Sequence, residues 1–358
     1  MAEVSDQLIF WIVVSVRFLL PLAIPRYPLI GILGCMIVDA VDQLVFQLFT
    51  NLPLEGYQGY DKSLDIYYLT IAYISTLRNW PNLFAFKLGR ILFYHRLAGV
   101  ALFGLTLYRP LLLIFANVFE YFFIFYEATR LRRDPNRLTE WELIGAAAFI
   151  LIVIKLPQEF WIHILDMNTL DWIRSNPLAL LVLVGWGAGI VMGLWWLLRG
   201  VPRAVERPSI LDDPKTAPTA GDAPGKNLPQ DRLINGALIE KIILISLLSI
   251  TFAQILPDVR ATNLAIAAGV TAIIVINTAV SQGLARRGTE WSSIMAEFLV
   301  ISAMNLGLVA GAAFLLPSIN GSINLDNALF MVLLLTLNIT LYDRYRRLHL
   351  ERFAVGIR

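Results

Sequence analysis

Cysteine is almost absent: Cys35 is the single one in 358 residues. No disulfide framework and no cysteine-based metal site can form within one chain. Because Cys35 lies inside an apolar run, it reads as a buried structural thiol. The three histidines, His95, His163 and His349, are expected at inner, outer and inner membrane levels, which excludes a bis-His haem or a three-His zinc centre. Charge is also sparse, at 16%, with 29 basic against 27 acidic residues and a net charge of +2. The basic residues gather at the ends of apolar runs, not on one face, so nucleic acid is not expected as a partner. No nucleophile elbow, P-loop or dinucleotide fingerprint stands in a fitting context, so catalysis of the soluble type has no visible machinery and an enzyme is not the preferred reading.

Long apolar runs are what it has instead. Hydrophobic residues make up 57% of the chain, and mean hydropathy is +0.66, outside the range of soluble domains. The expected fold class is all-α, a polytopic integral membrane protein of the bacterial-type plasma (inner) membrane, with the lipid bilayer as its surroundings. Windows of about 20 residues place spans near 7–24, 29–50, 63–78, 82–107, 110–130, 139–162, 177–199, 236–256, 261–283, 291–316 and 326–343. These are eleven transmembrane helices, or ten if the short third one is re-entrant; Asn79-Trp80-Pro81 should end that helix and start the next. Alternating the eleven puts 22 basic residues on one side, including Arg78, Lys87, Arg90 and Arg96, and four on the other. The N-terminus is therefore expected outside and the C-terminus in the cytoplasm. Residues 1–6 hold two acids and no base, and no cleavage pattern follows, so the first span is expected to remain as an anchor. Trp80, Trp161, Trp172, Trp195, Trp196 and Trp291 near span borders are expected in interfacial belts.

Composition suggests four segments: a seven-span bundle at 1–200, a mobile cytoplasmic linker at 201–233, a four-span bundle at 234–343, and a basic tail at 344–358 that would contact anionic lipid. Gly185, Gly189 and Gly193, and likewise Ala303, Gly307 and Gly311, repeat every four residues and read as close helix contacts, with a homo-oligomer as the alternative.

The most costly residues are intramembrane acids. Asp39 and Asp42 lie one turn apart in the middle of the second span, where each carboxylate costs at least about 2.5 kcal/mol on insertion scales. With Gln43 and Gln47 they are expected on one inward face. Arg17 on the first span and Glu120, midway along the fifth with Asn117 and Glu127 nearby, are expected at the same depth. Asp61 and Asp65, one turn apart and followed by Tyr67, Tyr68 and Tyr73, form an outer entrance to that level. Arg17 is a partner for Asp39, and Lys62 for Asp61 or Asp65. Lys155 and Glu159 read as a local ion pair, and Lys241 with Glu297 as an inner one. The amphipathic run 160–172 is expected on the outer surface.

These residues suggest transport of a cation, a proton or a small cation-coupled solute, with Asp39, Asp42, Gln43, Glu120 and Arg17 at the binding site. Two other readings stay open. One is a non-catalytic subunit of a larger membrane complex, whose charges serve assembly. The other is a membrane enzyme acting on a phosphorylated lipid through a divalent cation held by Asp39, Asp42, Asp61 and Asp65. No cofactor is otherwise expected.

Overall fold

A computed structural model of the chain describes residues 2–50, 57–163, 236–256, 261–286, 294–315 and 325–355, with isolated positions between 176 and 193. Among the described residues the fold is all-helical, without strands. Seven helical stretches are long and apolar enough to cross a membrane, compatible with an integral membrane protein. Contacts divide the chain into two compact units, residues 1–54 with 64–215, and 55–63 with 216–358. The expected linker at 201–233 and most of the expected span at 177–199 lie outside the described residues, as do the side chains of Trp161, Trp172, Trp195, Trp196 and Trp291.

The first unit begins with α1 (Ala2–Leu19), extended by a 3-10 turn at Leu20–Ala23, and α2 (Pro28–Phe49). Next comes α3 (Tyr57–Asn79), which belongs to this unit from Leu64 onward and whose residues from Ser63 to Leu77 are all buried. At 1.5 Å per residue, α3 is roughly 34 Å long, so the expected span 63–78 is the inner part of a longer helix. A helix enclosed by protein on all sides needs no apolar stripe, only satisfied polar groups. Thr70, Ser75 and Thr76 meet that condition by donating to the carbonyls of Ile66, Ala72 and Tyr73, each at 2.7 Å. The ring of Tyr73 stacks on Phe93 with centroids 4.6 Å apart.

The chain leaves α3 where Asn79-Trp80-Pro81 was expected to stop it. Asn82 then caps α4 (Leu83–Thr106), its side chain accepting from the Ala85 amide at 3.0 Å. Trp80 does not sit in an interfacial belt; it is fully buried, and its indole donates to Glu127 Oε1 at 2.8 Å. An indole whose N–H finds a buried acceptor gains more from packing than from an interface. Gly89 on α4 makes room, since a Cβ there would meet the Trp80 ring at 2.8 Å.

The expected span 110–130 is broken into α5 (Pro110–Ile114) and α6 (Val118–Arg130). Arg96 accounts for part of the break: its Nη1 donates to the Phe115 carbonyl at 3.1 Å. Arg96 was counted above with the basic residues at the inner span ends; it is instead 2% exposed in the middle of α4. Gly99, one turn on, lets Phe115 approach so closely that an added Cβ would lie 2.0 Å from the Phe115 Cβ.

After a 3-10 turn at Pro135–Arg137, α7 (Glu140–Phe149) opens on a capping box between Thr139 and Glu142. It passes into a π-helical stretch, Ile150–Lys155, and then α8 (Leu156–His163). The wide turns advance the buried face by one position. Leu143, Ala146, Ala147, Ile150 and Ile154 follow the ordinary helical spacing, and Lys155 and Glu159 continue it on the inner side.

The second unit contains α9 (Gly236–Ala253), α10 (Asn263–Arg286), α11 (Ile294–Leu315) and α12 (Leu325–Val355). α12 continues as a helix past residue 343, with Tyr345 and His349 buried. Asn305 donates to Thr336 at 2.9 Å, and Asn338 to the Leu334 carbonyl at 2.8 Å. Lys241 does not pair with Glu297. It bonds both carboxylate oxygens of Asp343, at 2.8 and 2.9 Å, and the Thr278 hydroxyl at 3.0 Å. Asp343 lies on α12 beside α9, and its two oxygens satisfy the ammonium more completely than a single longer contact would. Among the described residues nothing lies within 4 Å of where Cβ atoms on Gly185, Gly189, Gly307 or Gly311 would stand; Gly193 alone of these stripes meets a close neighbour, the Phe149 ring at 2.4 Å.

Candidate functional site

α2 buries Ile32, Cys35, Asp42 and Phe46, which are spaced by three, seven and four residues and make one face. Asp39 lies on the same face, roughly 15 Å from either end of the helix. Gln43 and Gln47 are exposed and stand apart from it. One step along a helix turns the side chain about 100°, so Gln43 cannot share the direction of Asp42.

Arg17, on the last turn of α1, is the hub. One terminal nitrogen bonds Asp42, and the other bonds both Asp39 and Asp65, the latter at 3.1 Å. The planar guanidinium, with several donors spread in a fork, can satisfy three carboxylates from two helices at once, which an ammonium could not. The side chains of Arg17, Asp42 and Asp65 are 3%, 0% and 6% exposed, whereas Asp39 is 26% exposed. A buried acidic cluster therefore exists, with one more open member. Tyr67 fixes α3 against α1 by donating to the Phe18 carbonyl at 3.1 Å, and the two rings lie 5.1 Å apart. Carboxylate oxygens of Asp39 and Asp65 come within 4.8 Å of each other.

Asp65 was expected at an outer entrance; it belongs to the cluster itself. Asp61 is one turn earlier on α3 and bonds Lys62 at 2.9 Å. Cys35 is a buried free thiol within electrostatic range of Arg17, Asp39 and Glu120.

Glu120 is not midway along a continuous helix. It sits in the first turn of α6, just past the break. Asn117 receives the Glu120 amide at 3.4 Å and donates its own amide to Glu120 Oε2 at 2.9 Å. The other oxygen, Oε1, accepts from the Tyr68 hydroxyl at 2.6 Å. Tyr68 was named only with Tyr67 and Tyr73 as following the outer entrance, yet its spacing marked it: Asp61, Asp65 and Tyr68 are positions i, i+4 and i+7 of one helical stripe.

Beyond Glu120, buried Lys155 contacts Gln158 at 3.0 Å and Glu159 at 3.4 Å, as the local pairing suggested, and lies 4.7 Å over the Tyr121 ring. Its charge is within electrostatic range of Glu120. Glu127 belongs elsewhere, held by Trp80 and by Arg130 at 3.3 Å.

No family model, no curated protein and no solved structure matches this chain.

Proposed function

We propose that the chain transports a cation, a proton or a small cation-coupled solute across a bacterial-type inner membrane. In this reading it has about eleven spans, an outside N-terminus and a cytoplasmic C-terminus. The observation that carries the proposal is the convergence of Asp39, Asp42 and Asp65 on the Arg17 guanidinium beside the middle of α2. Within this group of four, acids outnumber the base three to one, and such a set approaches neutrality by taking up protons or a cation. The more open Asp39 is the point of exchange, and Asp42 the inner anchor. A cation that binds the carboxylates competes with Arg17 for the same oxygens, so binding loosens α1 from α2 and α3. That is the differential contact a transport cycle needs.

A divalent ion serving a lipid enzyme would compete with the guanidinium in the same way, but a resident metal gains nothing from the loosening of α1 that follows, so that reading ranks lower. Assembly within a larger membrane complex is favoured by a different observation, the full enclosure of Asp42 against Arg17, because buried ion pairs often specify structure. Flux separates the two. In liposomes holding the purified full-length protein, proton and rubidium uptake should be lost in Asp39→Asn and Asp42→Asn, with both variants still inserted. Uptake at the wild-type rate in both would remove the transport reading.

A further inference from the structure

We infer that the transported or coupling ion is a proton, and that Tyr68 passes it from the Arg17 cluster to Glu120. The inference rests on the transport reading above and assigns its ion and its next station. Asp65 and Tyr68 are three positions apart on α3, so their side chains are neighbours on one face of a helix buried on every side. Asp65 bonds Arg17; Tyr68 bonds Glu120 at 2.6 Å. Tyr68 therefore stands between two carboxyl groups, Asp65 on its own helix and Glu120 on α6. A metal ion has no use for this connection, since a phenol hydroxyl offers a poor ligand and a proton a good path.

The titratable groups within electrostatic range of Glu120 are Tyr68 and Asp65 from α3, Arg96 from α4, Lys155 from the π-helical stretch, Cys35 from α2 and Tyr121 from α6 itself. Tyr68 alone among them supplies an exchangeable proton already hydrogen-bonded to the Glu120 carboxylate. In the step, the Tyr68 O–H bond breaks as an O–H bond forms on Glu120 Oε1. At the same time the Tyr68 oxygen receives the proton released by Asp65, its neighbour three positions back on the same face of α3. One proton moves two stations, no electrons transfer, and Asp65 returns to the ionised form that Arg17 binds. Arrival of the proton at Asp65 weakens its bond to Arg17, and departure restores it, so the relay and the ion pair change together. Asn117 is a positioning residue: it holds Oε2 so that Oε1 points at the phenol.

The test uses the full-length protein in liposomes with an internal pH-sensitive dye and a membrane potential set by potassium and valinomycin. Proton flux should fall on the order of 100-fold in Tyr68→Phe and in Glu120→Gln, and vanish in Asp42→Asn. Infrared spectra of the purified protein supply a readout that a merely structural role would not move. The carboxyl band of protonated Glu120 should be absent in Glu120→Gln and displaced in Tyr68→Phe. Wild-type proton flux in Tyr68→Phe, or an unmoved band in it, would overturn the relay. Uptake of rubidium or sodium without protons, still dependent on Asp42, would overturn the relay and leave the transport reading standing. Undiminished proton flux in both Asp39→Asn and Asp42→Asn would end both.

Discussion

Arg17 of α1 reaches Asp65 of α3 across 3.1 Å, and the same nitrogen also bonds Asp39 of α2. One side chain thus closes three helices. Arg17→Gln removes the charge while Asp42 and Asp65 stay buried, and it should cost about 3–5 kcal/mol of stability. Arg17→Lys should recover only part of that, since a single ammonium cannot fork to three carboxylates. Thermal unfolding in detergent micelles measures both, and equal midpoints for Arg17→Lys and wild type would contradict the forked arrangement.

The pair Lys241 and Asp343 calls for a double-mutant cycle. Lys241 is 4% exposed and Asp343 23%, so Lys241→Met should destabilise by about 2–3 kcal/mol, below the range of fully buried pairs. The double variant Lys241→Met with Asp343→Leu should return to within about 1 kcal/mol of wild type. Glu297→Gln should leave the cycle unchanged.

Gly99→Ala tests the broken helix. Its new Cβ would stand 2.0 Å from the Cβ of Phe115, a contact that must displace backbone and should cost about 2–3 kcal/mol. Combination with Phe115→Ala should give no relief, because the clashing Cβ remains. Combination with Phe115→Gly should recover part of the loss in the same unfolding assay.

At the start of α7, Thr139→Ala removes the hydroxyl half of the capping box and leaves the residue 139 amide donating to Glu142. About 1 kcal/mol should be lost, with proton flux unaffected, since Thr139 is distant in sequence and role from the Arg17 cluster. Reduced flux at unchanged stability would show that the α7 end communicates with the site.

The acids of α2 were legible because depth makes a carboxylate costly whatever surrounds it, and Arg17 followed as the cation at matching depth. Spans with clean apolar windows, such as α4 and α9, were legible for the same reason. α3 was half legible: its tyrosines, threonines and aspartates lower hydropathy, which measures affinity for lipid and says nothing of a helix enclosed by protein. Arg96 was misplaced because a tally of positive charges assumes that each one reaches an interface, whereas this one spends a donor on the carbonyl freed at Phe115. That break has no proline or glycine at its centre; its one local sign is Asn117 followed three residues later by Glu120, a helix-start pattern hidden inside a continuous apolar run, and Arg96 and Gly99 support it through tertiary contact. The π-helical turns that bring Lys155 and Glu159 inward are set by packing in the same way.

The enclosure of α3 has a consequence for biogenesis. A segment carrying Asp61, Asp65 and Asn79 among hydroxyls partitions poorly into bilayer when it emerges alone from the ribosome. On the proposed topology, its insertion would depend on α1 and α2 having arrived first, with Arg17 in place to receive Asp65. Truncations or substitutions in the first span therefore strike the third, and a nascent chain lacking Arg17 would fail at a helix synthesised some forty residues later.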